Sequence, residues 1–289
     1  MEQQVQPETM LPGAQMGALL WHDGCWWWSD TAAPALKAWR GKGLPESSRL
    51  PEHLAAFAVC RSGKLLLGLD KWLYLAERTP PGALKLARRL PLAIAAVDPA
   101  EARTRISDGC ADRHGNFVLG TANLSPGSPP IGSFYQFSQR FGLRRLALPT
   151  VAAAHGIGFS ADGGTLYFAS SDGRELLETT YDPGRAEVGR IKRFAGFGNA
   201  RIGGLTADAG GNLWIALREE GRRGRLAQFA AGGSLVRDLP LSAVQPSRPA
   251  FGGAHLEQLA AGALDGGLHT MEIPGVQGLA PALFDDAAD

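Results

Sequence analysis

The sequence has almost no excess of charge of either sign: 29 Lys and Arg stand against 28 Asp and Glu in 289 residues, a formal net charge of +1. Nucleic-acid binding needs clustered Lys and Arg to neutralise phosphates, so this balance argues against nucleic acid as the main partner. The sequence also lacks any run of about 18 apolar residues, so we expect no transmembrane helix and no membrane partner. The opening MEQQVQPETMLPGAQMG has neither the basic start nor the apolar run of a signal peptide. We therefore expect a cytoplasmic protein.

Cysteine is scarce as well: there are three, Cys25, Cys60 and Cys110, far apart and without a CxxC motif. Reduced thiols are the simplest interpretation. No long segment keeps the 3.6-residue period of a helix, because apolar residues come in runs of four to six broken by glycine. The 38 glycines fit many tight turns. The run Trp26-Trp27-Trp28 predicts a strand with core residues and one exposed face, rather than a platform for sugar rings.

One pattern is present several times. In RISDGCADRHGNFVLGT, residues 105–121, a polar segment and a turn precede an apolar run. The turn and the apolar run recur at steps of 39 to 52 residues, the first strand residues after each turn being Trp26, Leu65, Phe117, Leu166, Leu213 and Leu259. A repeat of about 40–50 residues with short strands and glycine-rich turns is typical of a β-propeller.

The prediction is therefore an all-β chain, a single six-bladed propeller with a central channel over residues 13–289. Residues 1–12 form a tail that is poorly ordered or adds a strand to the last blade. The Ala-, Leu- and Arg-rich stretch 80–102 is interpreted as strands and loops, with a short helix left as an alternative. In such a fold the innermost strand of each blade lines the channel. The residues just before each repeated turn are therefore the candidates for function: Gly17-Ala18, Ala55-Ala56, Ser107-Asp108-Gly109, His155-Gly156, Gly203-Gly204 and Pro249-Ala250.

Six segments in register resemble one known family. They are LLWHDG (19–24), RISDG (105–109), DRHGNFVLGT (112–121), HGIGFSADG (155–163), IGGLTADAGGNLW (202–214) and FGG (251–253). In order and spacing, over essentially the whole chain, they are similar to the family of regucalcin (senescence marker protein), gluconolactonase and related sugar lactonases. The resemblance implies a six-bladed propeller that binds one divalent metal in the channel and hydrolyses sugar lactones.

The departures from the family pattern fall on the metal ligands. The resemblance places the family's ligands, a Glu, an Asn and an Asp, at Ala18, His155 and Gly203. A hard cation needs several oxygen ligands, and two of these three residues offer no donor atom. We therefore expect no channel metal and no cofactor. Arg105 and Asp108 keep the family's residues, whereas Ser107 replaces an Asn that helps to position substrate.

Four residues form the predicted site: His155 and Asp108 as catalytic residues, Arg105 and Ser107 as substrate-binding ones. His155 is either a general base or hydrogen-bond donor, or a residue that fills the space of the lost metal. Asp108 is either a base for water or a turn residue that accepts backbone N–H groups. Arg105 either fixes a carboxylate or lactone carbonyl, or forms a structural salt bridge with Asp108 or another carboxylate. Cys110 is either a nucleophile paired with His155 or, as we favour, a buried structural thiol.

Three functions follow as hypotheses. The first is an enzyme of the lactonase superfamily that acts without the usual metal on a small polar cyclic substrate in the channel, through His155, Asp108 and Arg105. The second is a non-catalytic protein that binds a small ligand there. The third is a scaffold whose blade surfaces bind another protein. The sequence leaves the ligand's identity and the oligomeric state open.

Overall fold

The computed structural model describes residues 8–11, 13–78, 80, 82–87, 92–125 and 129–287, in which 25 strands form six antiparallel sheets. The strand at the start of the chain is β1 (Glu8–Met10). Blade one contains β2 (Met16–His22), β3 (Cys25–Asp30), β4 (Ala35–Trp39) and β5 (Glu46–Arg49). Blade two contains β6 (Leu54–Val59), β7 (Leu65–Leu69), β8 (Trp72–Ala76) and β9 (Leu92–Ala96). Blade three contains β10 (Thr104–Ala111), β11 (Phe117–Asn123), β12 (Phe134–Ser138) and β13 (Gly142–Arg145).

The second half of the chain repeats the arrangement. Blade four contains β14 (Gly158–Phe159), β15 (Thr165–Ala169), β16 (Glu175–Asp182), β17 (Glu187–Val188) and β18 (Lys192–Gly196). Blade five contains β19 (Arg201–Ala207), β20 (Leu213–Arg218), β21 (Arg225–Phe229) and β22 (Leu235–Pro240). Blade six contains β23 (Pro246–Gly252), β24 (Gln258–Ala263) and β25 (Leu268–Glu272). Six blades in a ring confirm the predicted β-propeller. None of the described residues belongs to a helix that could span a membrane.

The stretch 80–102 contributes β9 as the outer strand of blade two, and Arg78 forms an isolated bridge with Leu86. The described residues of this stretch contain no helix. Residues 81 and 88–91 lie outside the described part, and so do residues 1–7 and 12 of the predicted tail.

The core is divided among the blade interfaces. Six hydrophobic clusters each join two neighbouring blades. The tryptophan run of β3 shows why: Trp27 packs toward blade two, whereas Trp26 and Trp28 pack toward blade six. Because successive side chains of a strand point to opposite faces, a strand buried on both faces buries every residue. All three tryptophans are at most 2% exposed, so the predicted exposed face of this run is wrong.

The ring closes in blade six. Strand β1 pairs antiparallel with β25, Glu8 opposite Thr270 and Met10 opposite Leu268. The outer strand of the last blade therefore comes from the start of the chain. Blades one and six are held together by backbone hydrogen bonds as well as by packing.

The repeated turns have a structural cause. The buried Asp112 accepts hydrogen bonds from the backbone N–H and the amide of Asn116, and Tyr181 Oη of the next blade donates to it at 2.8 Å. In blade five Asp208 accepts the backbone N–H and the amide of Asn212 in the same way. The Asp-x-x-Gly-Asn pattern thus satisfies buried polar groups in a turn and carries no chemistry of the channel.

A C-terminal strap, residues 274–287, crosses the lower face of the ring. The backbone N–H of Gly278 donates to Leu256 in blade six, and Arg113 of blade three donates to the Ala280 carbonyl at 2.6 Å. Phe284 is fully buried between blades two and three and stacks on Phe137 at 5.7 Å. Residues 279–282 line a small cavity of about 130 Å³ at the lower end of the channel, so the strap covers that end.

Candidate functional site

Five inner strands, β2, β6, β10, β19 and β23, have a register shift near their leading end. A β-bulge leaves residues unpaired and re-aims their side chains. The residues that the shifts leave without a register partner are Gly17, Ala18, Ala55, Ser107, Gly203, Ser247 and Arg248. All of them line one cavity of about 600 Å³ at the upper end of the channel. The bulges therefore direct one or two positions of each of these blades into a shared space.

Blade four reaches the same cavity by a different route. Its inner strand β14 is only two residues long, and Gly156 before it has a φ of 61°. Glycine adopts this left-handed conformation without steric cost, and here it turns the chain next to His155. His155 lines the cavity together with Arg105, Ser107 and Asp108. The structure thus brings the four predicted site residues to one place.

The carboxylate of Asp108 is fully engaged. Arg248 of blade six donates to its Oδ1 at 2.6 Å, and the backbone N–H groups of Gly109 and Ile157 donate to Oδ1 and Oδ2 at 2.8 and 3.1 Å. Both side chains of the ion pair are 14% exposed. Burial alone would lower the pKa of Arg248, but the adjacent Asp108 carboxylate outweighs it and the pKa is raised. Asp108 is therefore the fixed partner of a permanent cation.

Sequence reasoning missed Arg248. Its guanidinium also donates to the Ile157 carbonyl at 3.1 Å, so it ties blade six to blades three and four across the channel. A signal existed, because this charged residue directly precedes the Pro249-Ala250 positions at the leading end of an apolar inner strand.

His155 is a titratable group of the cavity with free hydrogen-bonding capacity. In the part of the chain that the structure describes, neither ring nitrogen has a hydrogen-bond partner, while the backbone carbonyl accepts from Ala169. Burial lowers the pKa of His155 below the ordinary value of 6.5, Asp108 opposes this, and Arg218 and Arg201 lower it further. The ring is therefore neutral at pH 7 and can accept a proton.

Ser107 and Arg105 differ in how much of each side chain is available. The Ser107 hydroxyl donates to the Ala154 carbonyl at 2.9 Å, which joins blades three and four and leaves the hydroxyl oxygen as an acceptor. Arg105 is exposed and, among the described residues, has no hydrogen-bond or ion-pair partner. The predicted alternative of a salt bridge between Arg105 and Asp108 does not form, because Asp108 binds Arg248.

Cys110 lies on the other side of the bulge and lines the lower cavity instead of the upper one. Its Sγ lies 3.5 Å from the Ile157 carbonyl. Burial raises the pKa of Cys110 to about 11, with Arg248 opposing the shift. A thiol with this pKa is not ionised at neutral pH, which supports the structural interpretation of this residue.

Basic residues line one side of the upper mouth of the channel, and acidic residues line the other side. On the side of blades three to five, Arg105, His155 and Arg218 line the cavity, and Arg201 stands directly opposite Arg218 in the pairing of β19 with β20. On the side of blades one and two, the cavity is lined by Asp30, which forms an ion pair with Lys37 at 3.2 Å, and by Asp70. Burial lowers the pKa of Arg218, and the like charge of Arg201 lowers it further.

The donor set does not fit the divalent metal that the resemblance implies. Ala18 has no ligand atom, and a Cβ at Gly203 would lie 2.1 Å from the carbonyl oxygen of Pro246. The carboxylate of Asp108 already binds Arg248. Among the described residues, no three His, Cys, Asp or Glu side chains are grouped so that they could hold a metal ion.

Comparison with known proteins agrees with this fold. The model of the SMP-30/gluconolactonase/LRE-like region matches residues 17–261. The chain is 33% identical over 208 residues to an L-arabinolactonase of Azospirillum brasilense, covering 71% of this chain and 65%, less than two thirds, of that protein. The solved structure of a luciferin-regenerating enzyme superposes with a TM-score of 0.85 at 20% identity, covering 96% of this chain and 99% of that one. A calcium-binding protein, regucalcin, from Agrobacterium tumefaciens superposes with a TM-score of 0.81 at 20% identity, covering 94% of each chain.

Proposed function

Because the chain belongs to the SMP-30/gluconolactonase/LRE-like family, we propose that it hydrolyses a small polar cyclic ester, a sugar lactone or a close analogue, in the upper cavity without a divalent metal. The relative named as a lactonase supports the reaction class. The lack of a fitting donor set supports the metal-free form. A cavity of about 600 Å³ suits a small ligand.

The observation that carries the proposal is the state of His155. A general base needs an acceptor nitrogen that is free, neutral at the working pH and open to the substrate. His155 lines the cavity, has no hydrogen-bond partner at its ring among the described residues, and has a pKa below the ordinary value because of burial.

The reaction then needs one water molecule and no redox change. Water attacks the lactone carbonyl carbon while His155 removes its proton, and the guanidinium of Arg105 donates N–H groups to the developing oxyanion. When the tetrahedral intermediate collapses, the bond from the carbonyl carbon to the ring oxygen breaks. The ring oxygen takes the proton from the His155 imidazolium. The product is the open hydroxy acid, and His155 returns to its neutral form.

Asp108 has an indirect part in this scheme. It raises the pKa of His155 against the effect of burial, and it holds Arg248 in place. We therefore assign it to positioning and electrostatics rather than to proton abstraction. Arg248 also lines the cavity, where its charge is paired with Asp108.

A second candidate is a non-catalytic protein that binds a small ligand in the same cavity. The observation that favours it is that the Asp108 carboxylate already accepts hydrogen bonds from Arg248 and from the backbone N–H groups of Gly109 and Ile157. As a result, His155 has no carboxylate to orient its ring, which a catalytic triad would have.

The test is lactone hydrolysis followed by pH-stat with D-glucono-1,5-lactone and L-arabinono-1,4-lactone, with a chelator and with added calcium, zinc or magnesium. We expect turnover that the chelator does not abolish, and a melting temperature that it does not change, because no bound metal stabilises the fold. The rate should fall once the pH drops through the pKa of His155, which burial places below 6.5, since protonation removes the base.

Matched variants separate the two candidates. His155→Gln should lower the rate roughly 10²–10⁴-fold, while His255→Gln, in an exposed turn of blade six, should match the wild type. If the wild type turns over no lactone and His155→Gln only weakens ligand binding, the binding protein is the correct assignment. Activity that requires added metal, or a His155→Gln variant with the wild-type rate, would refute the metal-free mechanism.

A further inference from the structure

Three arginines at the upper mouth lack a carboxylate partner. Arg105, Arg201 and Arg218 form no salt bridge within the part of the chain that the structure describes. Arg105 and Arg218 line the cavity, and Arg201 stands opposite Arg218 in the strand pairing, so three positive charges without a carboxylate lie at or beside the cavity.

The pairing of β19 with β20 places two of these arginines against each other, which lowers the stability of the sheet. Arg201 and Arg218 are directly opposite each other in the antiparallel register. Like charges at directly opposite positions destabilise a sheet. Arg218 is half-buried at the cavity wall, so water screens its charge less than it would at an open surface. A bound anion would remove this repulsion.

The opposite wall has the reverse character. Asp70 of blade two and Asp30 of blade one line it, and the Asp30 carboxylate is also bound by Lys37 and by the backbone N–H of Ala32. Carboxylates accept hydrogen bonds from hydroxyl groups but repel an anion. A ligand that satisfies both walls therefore has an anionic group at one end and hydroxyl groups at the other.

We propose that the cavity binds a sugar acid, and that Arg218, with the charge of Arg201 beside it, recognises a carboxylate that the ligand has in addition to its lactone, while Arg105 stays at the lactone carbonyl. Guanidinium groups bind carboxylates in a bidentate, planar manner, which gives both affinity and orientation. With the carboxylate at the arginines and the hydroxyls at Asp30 and Asp70, the lactone carbonyl is held between the two walls. The lactone part of this proposal rests on the proposed function. The binding of a free sugar acid does not depend on it.

The experiment therefore measures binding without turnover. D-Glucuronate and D-glucose have the same sugar ring, but D-glucuronate has a carboxylate where D-glucose has a hydroxymethyl group. Isothermal titration and thermal shift at low ionic strength should show D-glucuronate binding at least about tenfold more tightly than D-glucose, the effect expected of charge-assisted hydrogen bonds. Sodium sulfate tests whether the site binds any anion, and it should bind more weakly than D-glucuronate.

Variants locate the effect. Arg218→Gln should lose about tenfold or more of the affinity for D-glucuronate and leave that for D-glucose unchanged. Arg237→Gln, on the outer strand β22 of the same blade, is the matched control and should bind like the wild type. Equal affinity for D-glucuronate and D-glucose, equal affinity for sulfate and D-glucuronate, or an Arg218→Gln variant with wild-type selectivity would each overturn the proposal.

The two proposals fail in different ways. If D-glucuronate binds selectively but neither D-glucaro-1,4-lactone nor D-glucono-1,4-lactone is hydrolysed, the sugar-acid site stands and the hydrolase does not. If D-glucono-1,4-lactone is hydrolysed as fast as D-glucaro-1,4-lactone and D-glucuronate shows no preference, the hydrolase stands and the sugar-acid site does not.

Discussion

Removing Arg248 should destabilise the propeller strongly, because it leaves the Asp108 carboxylate charged and without its cation. Both side chains are 14% exposed, so water replaces only part of the lost interaction. Breaking a buried ion pair from one side costs about 3–5 kcal/mol. With an unfolding entropy of about 2.1 cal/mol/K per residue, this cost corresponds to a melting temperature about 5–8 °C lower for Arg248→Met in a chain of this length.

Two comparisons isolate the cause. Arg225→Met removes the same type of side chain from its pair with Asp238, which is about one third exposed, and an exposed pair contributes at most about 1 kcal/mol. The double variant Asp108→Leu with Arg248→Met leaves no unpaired charge and should recover part of the loss. Differential scanning calorimetry gives all the values. If Arg248→Met melts like Arg225→Met, or if the double variant melts no higher than Arg248→Met, the ion pair is solvated by channel water and the reasoning fails.

Two further changes test the packing around the channel. Gly203→Ala should lower the free energy of unfolding by about 1–3 kcal/mol, because the new Cβ would overlap a backbone carbonyl oxygen at 2.1 Å. Gly164→Ala, whose Cβ would have its nearest neighbour at 3.6 Å, should leave urea denaturation unchanged. Equal stability of the two variants would contradict the tight fit at Gly203. Phe284→Ala removes a fully buried ring from the C-terminal strap and should cost about 3–5 kcal/mol, while Phe141→Ala, at 50% exposure, should cost much less. The same urea titrations measure both, and a small effect at Phe284 would show that the strap is not part of the core.

The repeat was enough to predict the six blades, because turn chemistry and strand spacing are local properties of the sequence. It also predicted that Arg105, Ser107, Asp108 and His155 meet, since the leading ends of inner strands converge in any propeller. The bulges explain why a few positions of five blades face the site, and the glycines and small residues there are the trace that the bulges leave in the sequence.

The partner of Asp108 could not be predicted in the same way. Asp108 and Arg248 are 140 residues apart, and their contact depends on how blades three and six face each other across the channel. The exposed face expected for the tryptophan run was wrong for a related reason. An alternating pattern distinguishes core from solvent only when a sheet has one wet face, and in a propeller both faces of a blade pack on neighbours.

The C-terminal strap has a consequence for the order of folding. Arg61 and Asp285 form an ion pair across 224 residues, and the strap also contacts blades three and six. Such contacts cannot form until the blades on which the strap rests have folded, because before then no contact energy offsets the entropy cost of closing so long a loop. The pairing of Glu8 with Thr270 has the same requirement. Two closures therefore fall at the end of folding, and until then β1 is without its partner strand β25. Unpaired strand edges make a partly folded chain prone to aggregation, so the ring is most exposed to it before this closure.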